Sequence, residues 1–131
     1  MRLTKERIKK VPIPNDPDEG FVKIRNLEAD EVYRIEQKTA IFEMDGEGKQ
    51  NFSFMPVERE EAFIRQSLNG WGNLFGENGE ELEFNPVNVE LSRRFIVCVD
   101  DKRFRFYEWL QEEREKFAKE VAKEEAAAKG N

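Results

Sequence analysis

The chain contains no histidine. That removes the commonest general base and the commonest transition-metal ligand together. Cys98 stands alone, so no disulfide can form within the chain, a usage that fits a reducing compartment. Its place in the apolar run at residues 95–99 points to core packing rather than to an activated thiol. No apolar run approaches the roughly 18–20 residues that a membrane span needs. No apolar segment follows the basic first residues, so the start does not read as a secretory signal. There is neither a phosphate-loop lysine nor a dinucleotide-type glycine pattern. The stretch around Gly79 is no calcium loop. With Gly79 in the invariant sixth place, Leu74 falls first, Gly76 third and Asn85 twelfth, and key oxygen ligands are missing. Ser53, Ser67 and Ser92 have no recognisable activating neighbours. The expectation is a non-enzymatic protein with no catalytic residue, cofactor or metal site.

Hydrophobic and charged residues each make up 38% of the 131, so apolar burial must be concentrated in a few large side chains. Eleven Phe, two Trp and two Tyr provide that concentration. The net charge of −6 argues against general attraction to nucleic acid or anionic membrane. Arg2, Lys5, Arg7, Lys9 and Lys10 crowd the opening, which reads as a solubilising tail. The acid runs Glu58, Glu60, Glu61 and Glu80, Glu81, Glu83 read as solvated faces. Phe104, Phe106, Tyr107 and Trp109 are interleaved with Lys102, Arg103 and Arg105, a mixture that can stack nucleic-acid bases. On a helix, however, Phe106 and Leu110 face one way and the arginines another, which is the pattern of a core with a charged rim.

Residues 1–20 read as a flexible N-terminal arm, because Pro12, Pro14 and Pro17 break helix and residues 15–20 are turn-rich. Residues 21–25 have strand composition, with Val22 and Ile24 on one side. A short helix over 29–37 follows. Residues 39–55 carry a hairpin signal. Phe42 and Met44 alternate with Ile41 and Glu43, residues 45–49 turn, and Phe52 and Phe54 alternate on the return. This hairpin is expected to form a small antiparallel sheet with strand 21–25, its apolar face covered by a helix. A helix over 57–68 stops at Asn69-Gly70. Residues 70–89 read as an ordered connector. Trp71 is an aromatic anchor, Asn78-Gly79 a tight reversal, Asn85 a helix cap and Pro86 the first helical position. Residues 87–99 read as a helix from the spacing of Val87, Leu91, Phe95 and Val99, although residues 95–99 have strand composition as well. Asp100 or Asp101 then caps a long helix from Lys102 to about Lys129. Beyond Phe117 its apolar content thins to Val121 and alanines, so 118–131 is expected to be a charged, fraying tail. The expected class is α+β and mostly helical: a small N-terminal antiparallel sheet packed on helices, a long C-terminal helix, and one globular domain over 21–117.

Two runs resemble known proteins. VPIPNDPDEGFVKIRNLEADEVYRI is similar to the N-terminal pattern of small phage and prophage morphogenesis proteins, where a Pro/acidic opening leads to an extended segment and a short helix. GWGNLFGENGEELEFNPVNVELSRRFIVCV is similar to a second pattern, in siphophage tail assembly chaperones and related prophage proteins. It is carried by Gly70, Trp71, Glu77, Asn78, Gly79, Leu82, Phe84, Asn85, Pro86 and Asn88, and the two runs cover roughly residues 11–99. The resemblance implies a non-enzymatic assembly role in the cytoplasm of a bacterial host. Such chaperones bind the extended tape-measure protein, keep its apolar helical stretches soluble and help recruit tail-tube subunits. They are mainly helical, so the hairpin at 39–55 is a departure. A minor structural component of the virion, a head–tail or tail-terminator piece, is the alternative. The expected partner contacts are Phe63, Trp71, Phe75, Phe106, Trp109 and Leu110, lining an aromatic groove. Phage tail proteins are the expected partners, without nucleic acid or membrane, and self-association stays open.

Overall fold

The computed structural model describes residues 7–129. In chain order the elements are β1 (Ile8–Pro12), β2 (Phe21–Arg25), α1 (Ala29–Thr39), β3 (Ala40–Met44), β4 (Gln50–Phe54), α2 (Pro56–Ser67), β5 (Leu68–Gly72), α3 (Pro86–Leu91), a 3-10 turn (Ser92–Arg94), β6 (Ile96–Val99), β7 (Lys102–Arg105) and α4 (Phe106–Lys129). The class is the expected α+β, with an N-terminal antiparallel sheet and a long C-terminal helix.

The sheet has the order β1-β2-β5, so β2 is its central strand. Alternation within β2 buries Val22 and Ile24 completely and leaves Lys23 exposed. Val22 lies between Val11 of β1 and Trp71 of β5, a row of buried apolar side chains across the sheet. On the other side the Lys10 ammonium sits 4.0 Å from the centre of the Phe21 ring. Gly72 faces Phe21, and a Cβ there would come within 2.5 Å of the ring tip, so a larger residue at this position of β5 would have to displace the Phe21 ring.

This is not the pairing expected for strand 21–25. The hairpin β3–β4 forms a two-stranded sheet of its own, and β2 pairs with residues 8–12 and 68–72 instead. A strand with one wholly buried face needs apolar neighbours on both edges, and Val11, Leu68 and Trp71 supply them. The expected flexible arm is corrected with it over residues 8–20; its first six residues lie outside the described ones. Residues 8–12 are a strand, and the Asp16 carboxylate organises the loop that follows by accepting the N–H groups of Asp18 (3.0 Å) and Gly20 (2.9 Å). That loop buries Ile13. Pro12 ends an edge strand, where its missing N–H costs no ladder bond. The expected break at Asn69-Gly70 is likewise a passage from helix directly into strand β5.

Helix α2 starts at Pro56 and buries Phe63 and Ile64, and α1 packs beside it. The stripe Phe106, Leu110, Phe117 and Val121 is the buried face of α4, joined by Tyr107 and Trp109. It is docked past Phe117 as far as Glu124, rather than protruding from residue 118 on, while the side chains of 122–129 stay exposed. Glu120 accepts two bonds from the Lys9 ammonium, at 2.7 and 2.9 Å, and Glu124 pairs with Arg7. Phe117 and Val121 are buried, and Lys9 lies 6.0 Å from the Phe117 ring centre. The surface that receives this part of α4 includes the strand at 8–12, so overlooking that strand hid the docking.

Residues 95–99 take the strand alternative. Helix α3 ends at Leu91, β6 pairs with β7, and α4 begins at Phe106 rather than Lys102. Val87 and Leu91 are exposed while Val89 is buried, so the expected i, i+4 face is not the packed one. Asp100, at φ 53°, turns the hairpin instead of capping a helix. The connector follows its local signals. Gly79 has φ 77°, Asn85 Oδ1 accepts the Asn88 N–H at 2.8 Å, and Pro86 opens α3. Trp71 anchors it by donating Nε1–H to the Leu82 carbonyl at 2.9 Å and by an edge-on contact with Phe84 at 5.0 Å.

Candidate interaction surface

Of the six side chains expected to line a partner groove, five are interior. Phe63, Trp71, Phe106, Trp109 and Leu110 all belong to the buried core. Their rings stack inward rather than opening a trough: Phe95 bridges Trp71 (6.4 Å) and Phe106 (6.1 Å), and Phe106 meets Trp109 at 6.0 Å. Phe75 alone of the six is exposed, at 47%. In a polar chain these large rings are the main apolar material, so folding buries most of them.

The exposed apolar face lies elsewhere. On the hairpin β3–β4, Phe42, Met44 and Phe52 are 63%, 71% and 56% exposed. Phe42 lies directly opposite Phe52 and Ala40 opposite Phe54, so the apolar residues share one face. Their rings form a short ladder, Phe42 to Phe52 at 5.1 Å and Phe52 to Phe54 at 4.9 Å. The Asp45 carboxylate shapes the tip by accepting the N–H groups of Glu47 and Lys49, each at 2.9 Å. Glu43, Asp45 and Glu47 against Lys49 make the distal end acidic. At the base, Met55 N–H bonds the Thr39 carbonyl at 2.7 Å. The Arg59 guanidinium there lies 4.6 Å from the Phe54 ring and 5.2 Å from that of Phe63. Among the described residues no helix covers the apolar face, contrary to expectation. The alternation that marks a half-buried strand fixes which residues share a side but not what lies against them.

A second concave feature is a cleft of about 710 Å³. Strand β6 and Arg103 form one wall, and residues 73–77 with the loop after β1 form the other. Cys98 is exposed there rather than packed in the core. In β6, Ile96 and Cys98 point outward while Val99 is buried, which is strand alternation where a helix was expected.

Ion pairs tie α2 to the 3-10 turn and to β7. Glu60 lies 3.5 Å from both Arg93 and Arg105, and Arg93 also approaches Glu61 at 3.9 Å. The acid run at 58–61 is therefore a docking edge for arginines as well as a solvated face. Arg25 grips Glu31 with two bonds, 3.1 and 2.6 Å, and holds its carboxyl below the ordinary carboxylate value. Burial, reinforced by Glu60, pushes the Tyr107 phenol up. Burial also lowers Arg114, whose guanidinium lies 4.8 Å from the Phe63 ring. All three groups lie outside the cleft and the hairpin.

Among the described residues no group of three or more His, Cys, Asp or Glu side chains is gathered in a way that could hold a metal ion. No helix there is long and apolar enough to cross a membrane. Comparison with known proteins gave no match to a family model, a curated protein or a solved structure.

Proposed function

We propose that this protein is a non-enzymatic assembly factor that shields an apolar helical segment of a partner protein on the face of hairpin β3–β4. The observation that carries the reading is the uncovered row Phe42, Met44 and Phe52 on a hairpin that packs mainly against itself. A lone two-stranded hairpin is marginally stable in water, and a contiguous apolar face on it adds a cost that a partner would remove. The exposed face amounts to roughly 300–400 Å² from three large side chains. A stable pair of folded subunits buries about 800 Å² on each side, so self-association through this face alone is disfavoured. An amphipathic helix laid across the stripe fits the size better, and the acids Glu43, Asp45 and Glu47 favour basic residues flanking its apolar face.

The identity of that partner rests on the resemblance to siphophage tail assembly chaperones alone, which makes it a tape-measure-type protein in a bacterial cytoplasm. The contact residues assigned to this role are now Phe42, Met44 and Phe52, with Phe75 the one surface residue retained from the expected groove.

The test is co-expression of a tape-measure-type protein with the wild-type chain and with the Phe42→Ser/Phe52→Ser variant. The wild type should keep the partner soluble and co-purify with it. The variant should lose the complex by at least about tenfold in affinity, with unchanged circular dichroism. An unimpaired variant complex would rule out the hairpin. Recovery of the protein from purified particles would instead make it a virion component.

A further inference from the structure

Two Asn-Gly pairs occur among the described residues, Asn69-Gly70 and Asn78-Gly79. This dipeptide carries chemistry of its own. The backbone nitrogen that follows an Asn can attack the side-chain carbonyl carbon, and Gly, lacking a Cβ, obstructs that approach least. The Asn69 and Asn78 side chains are both exposed, and neither has a partner among the described residues. Sequence alone therefore does not separate the two pairs.

The fold does. Asn69 and Gly70 lie within β5, where Gly70 pairs with Lys23 of the central strand and is half-buried. A Cβ on Gly70 would lie 3.6 Å from the Lys23 side chain. The attack swings the backbone out of its extended form, so β5 must first leave a sheet in which its Leu68 and Trp71 are buried. Opening of that kind takes a large share of the global stability.

Asn78 and Gly79 instead form the tip of an exposed reversal. Gly76 N–H donates to the Glu80 carbonyl at 2.8 Å and Gly79 N–H to the Gly76 carbonyl at 3.0 Å. Gly79 has φ 77°, and a Cβ there would have no atom within 4 Å, so the tip is open to water. One turn hydrogen bond, from Gly79 to Gly76, holds the nucleophilic nitrogen. Such a bond opens at little cost.

We propose that Asn78 is a site of spontaneous deamidation and that the sheet protects Asn69 from the same reaction. The Gly79 nitrogen gives its proton to water or hydroxide and bonds to Asn78 Cγ. The Cγ–Nδ2 bond breaks, and Nδ2 leaves as ammonia. Water then opens the five-membered imide. Cleavage between the Gly79 nitrogen and the main-chain carbonyl carbon gives isoaspartate, and cleavage between that nitrogen and Cγ gives aspartate. Nothing is oxidised or reduced. Either product adds a negative charge beside Glu77, Glu80 and Glu81. Isoaspartate also lengthens the loop backbone by a carbon atom. Just below the tip, Leu82 N–H donates to the Leu74 carbonyl at 2.7 Å, and the Leu82 carbonyl accepts the Trp71 indole N–H. The longer tip disturbs this closure, so the isoaspartyl form has a looser connector. The site goes beyond the hairpin β3–β4 reading and does not depend on it.

The test incubates the full-length protein at physiological temperature and mildly alkaline pH, folded and in urea. Digestion and mass spectrometry follow, with aspartate and isoaspartate told apart by electron-transfer fragmentation. In the folded protein the peptide carrying Asn78 should gain about 1 Da at least about tenfold faster than the one carrying Asn69. In urea the two rates should converge to within about threefold. Asn78→Gln should abolish the fast gain, because the longer side chain must close a six-membered ring. The isoaspartyl form, separated by ion exchange, should show faster amide exchange at Gly76, Gly79 and Leu82 than Asn78→Asp does. Equal rates at the two sites in the folded protein, a tenfold gap that persists in urea, or a fast gain surviving in Asn78→Gln would overturn the site. Amide exchange matching that of Asn78→Asp would overturn its effect on the connector.

Discussion

At the scale of single residues, burial decides what each charged or apolar side chain does. Glu31 and Arg25 illustrate it, as a bidentate pair at the end of β2 where both side chains are largely covered. Glu31 has its folded-state pKa below the ordinary value of 4.5. The stabilisation from this pair is therefore complete above the unfolded value and is lost as pH falls through the lower folded value. Glu31→Gln is expected to lower stability at neutral pH and to flatten the loss of stability below about pH 4.5, measured as urea midpoints across that range. Parallel wild-type and variant curves would show that the carboxyl is not held by Arg25. Cys98 shows the limit of reading residues singly. Its neighbours are apolar, yet strand alternation turns it outward while Val99 turns in.

At the scale of elements, the signals confined to a few neighbouring residues were legible. The Asn78-Gly79 reversal, the Asn85 cap with Pro86 behind it, the hairpin at 40–54 and the helices at 29–39 and 56–67 all follow from local chemistry. Asn85→Ala is expected to cost about 1 kcal/mol, because α3 is only six residues long and has no other side-chain cap at its start. Asn85→Asp should retain most of that stability, and a urea midpoint for each variant checks the pair. Equal losses for both would show that the side-chain oxygen is not the cap. Residues 95–99 were ambiguous for the same reason in reverse. A short apolar run suits either a buried helix or a strand, and the register with 102–105 resolved it.

At the scale of the molecule, the two ends of the described chain hold each other. Strand β1 borders the sheet, and its Lys9, with Arg7 just before it, reaches Glu120 and Glu124 of α4, over a buried Phe117 and Val121. The ion pairs are largely exposed and contribute little, so the apolar contacts carry most of the docking. Val121→Ala is expected to cost about 2 kcal/mol and to speed amide exchange in the distal part of α4. A loss of only a few tenths would mean that this part of α4 frays, as its composition alone suggests. The six expected groove residues belong to this scale too. Which rings face solvent depends on how the elements assemble, and assembly placed five of them inside and left the hairpin stripe outside.

The amino-acid order by itself determined the α+β class, the turns and caps and the hairpin strands, because each depends on φ/ψ preferences and hydrogen bonds within a few residues. Only the tertiary structure decided that β2 joins residues 8–12 and 68–72, that 96–99 is a strand paired with 102–105, and that Phe42 and Phe52 stay in water. Those outcomes turn on which distant apolar surface is available to cover a given face, and alternation along one strand carries no information about its neighbour.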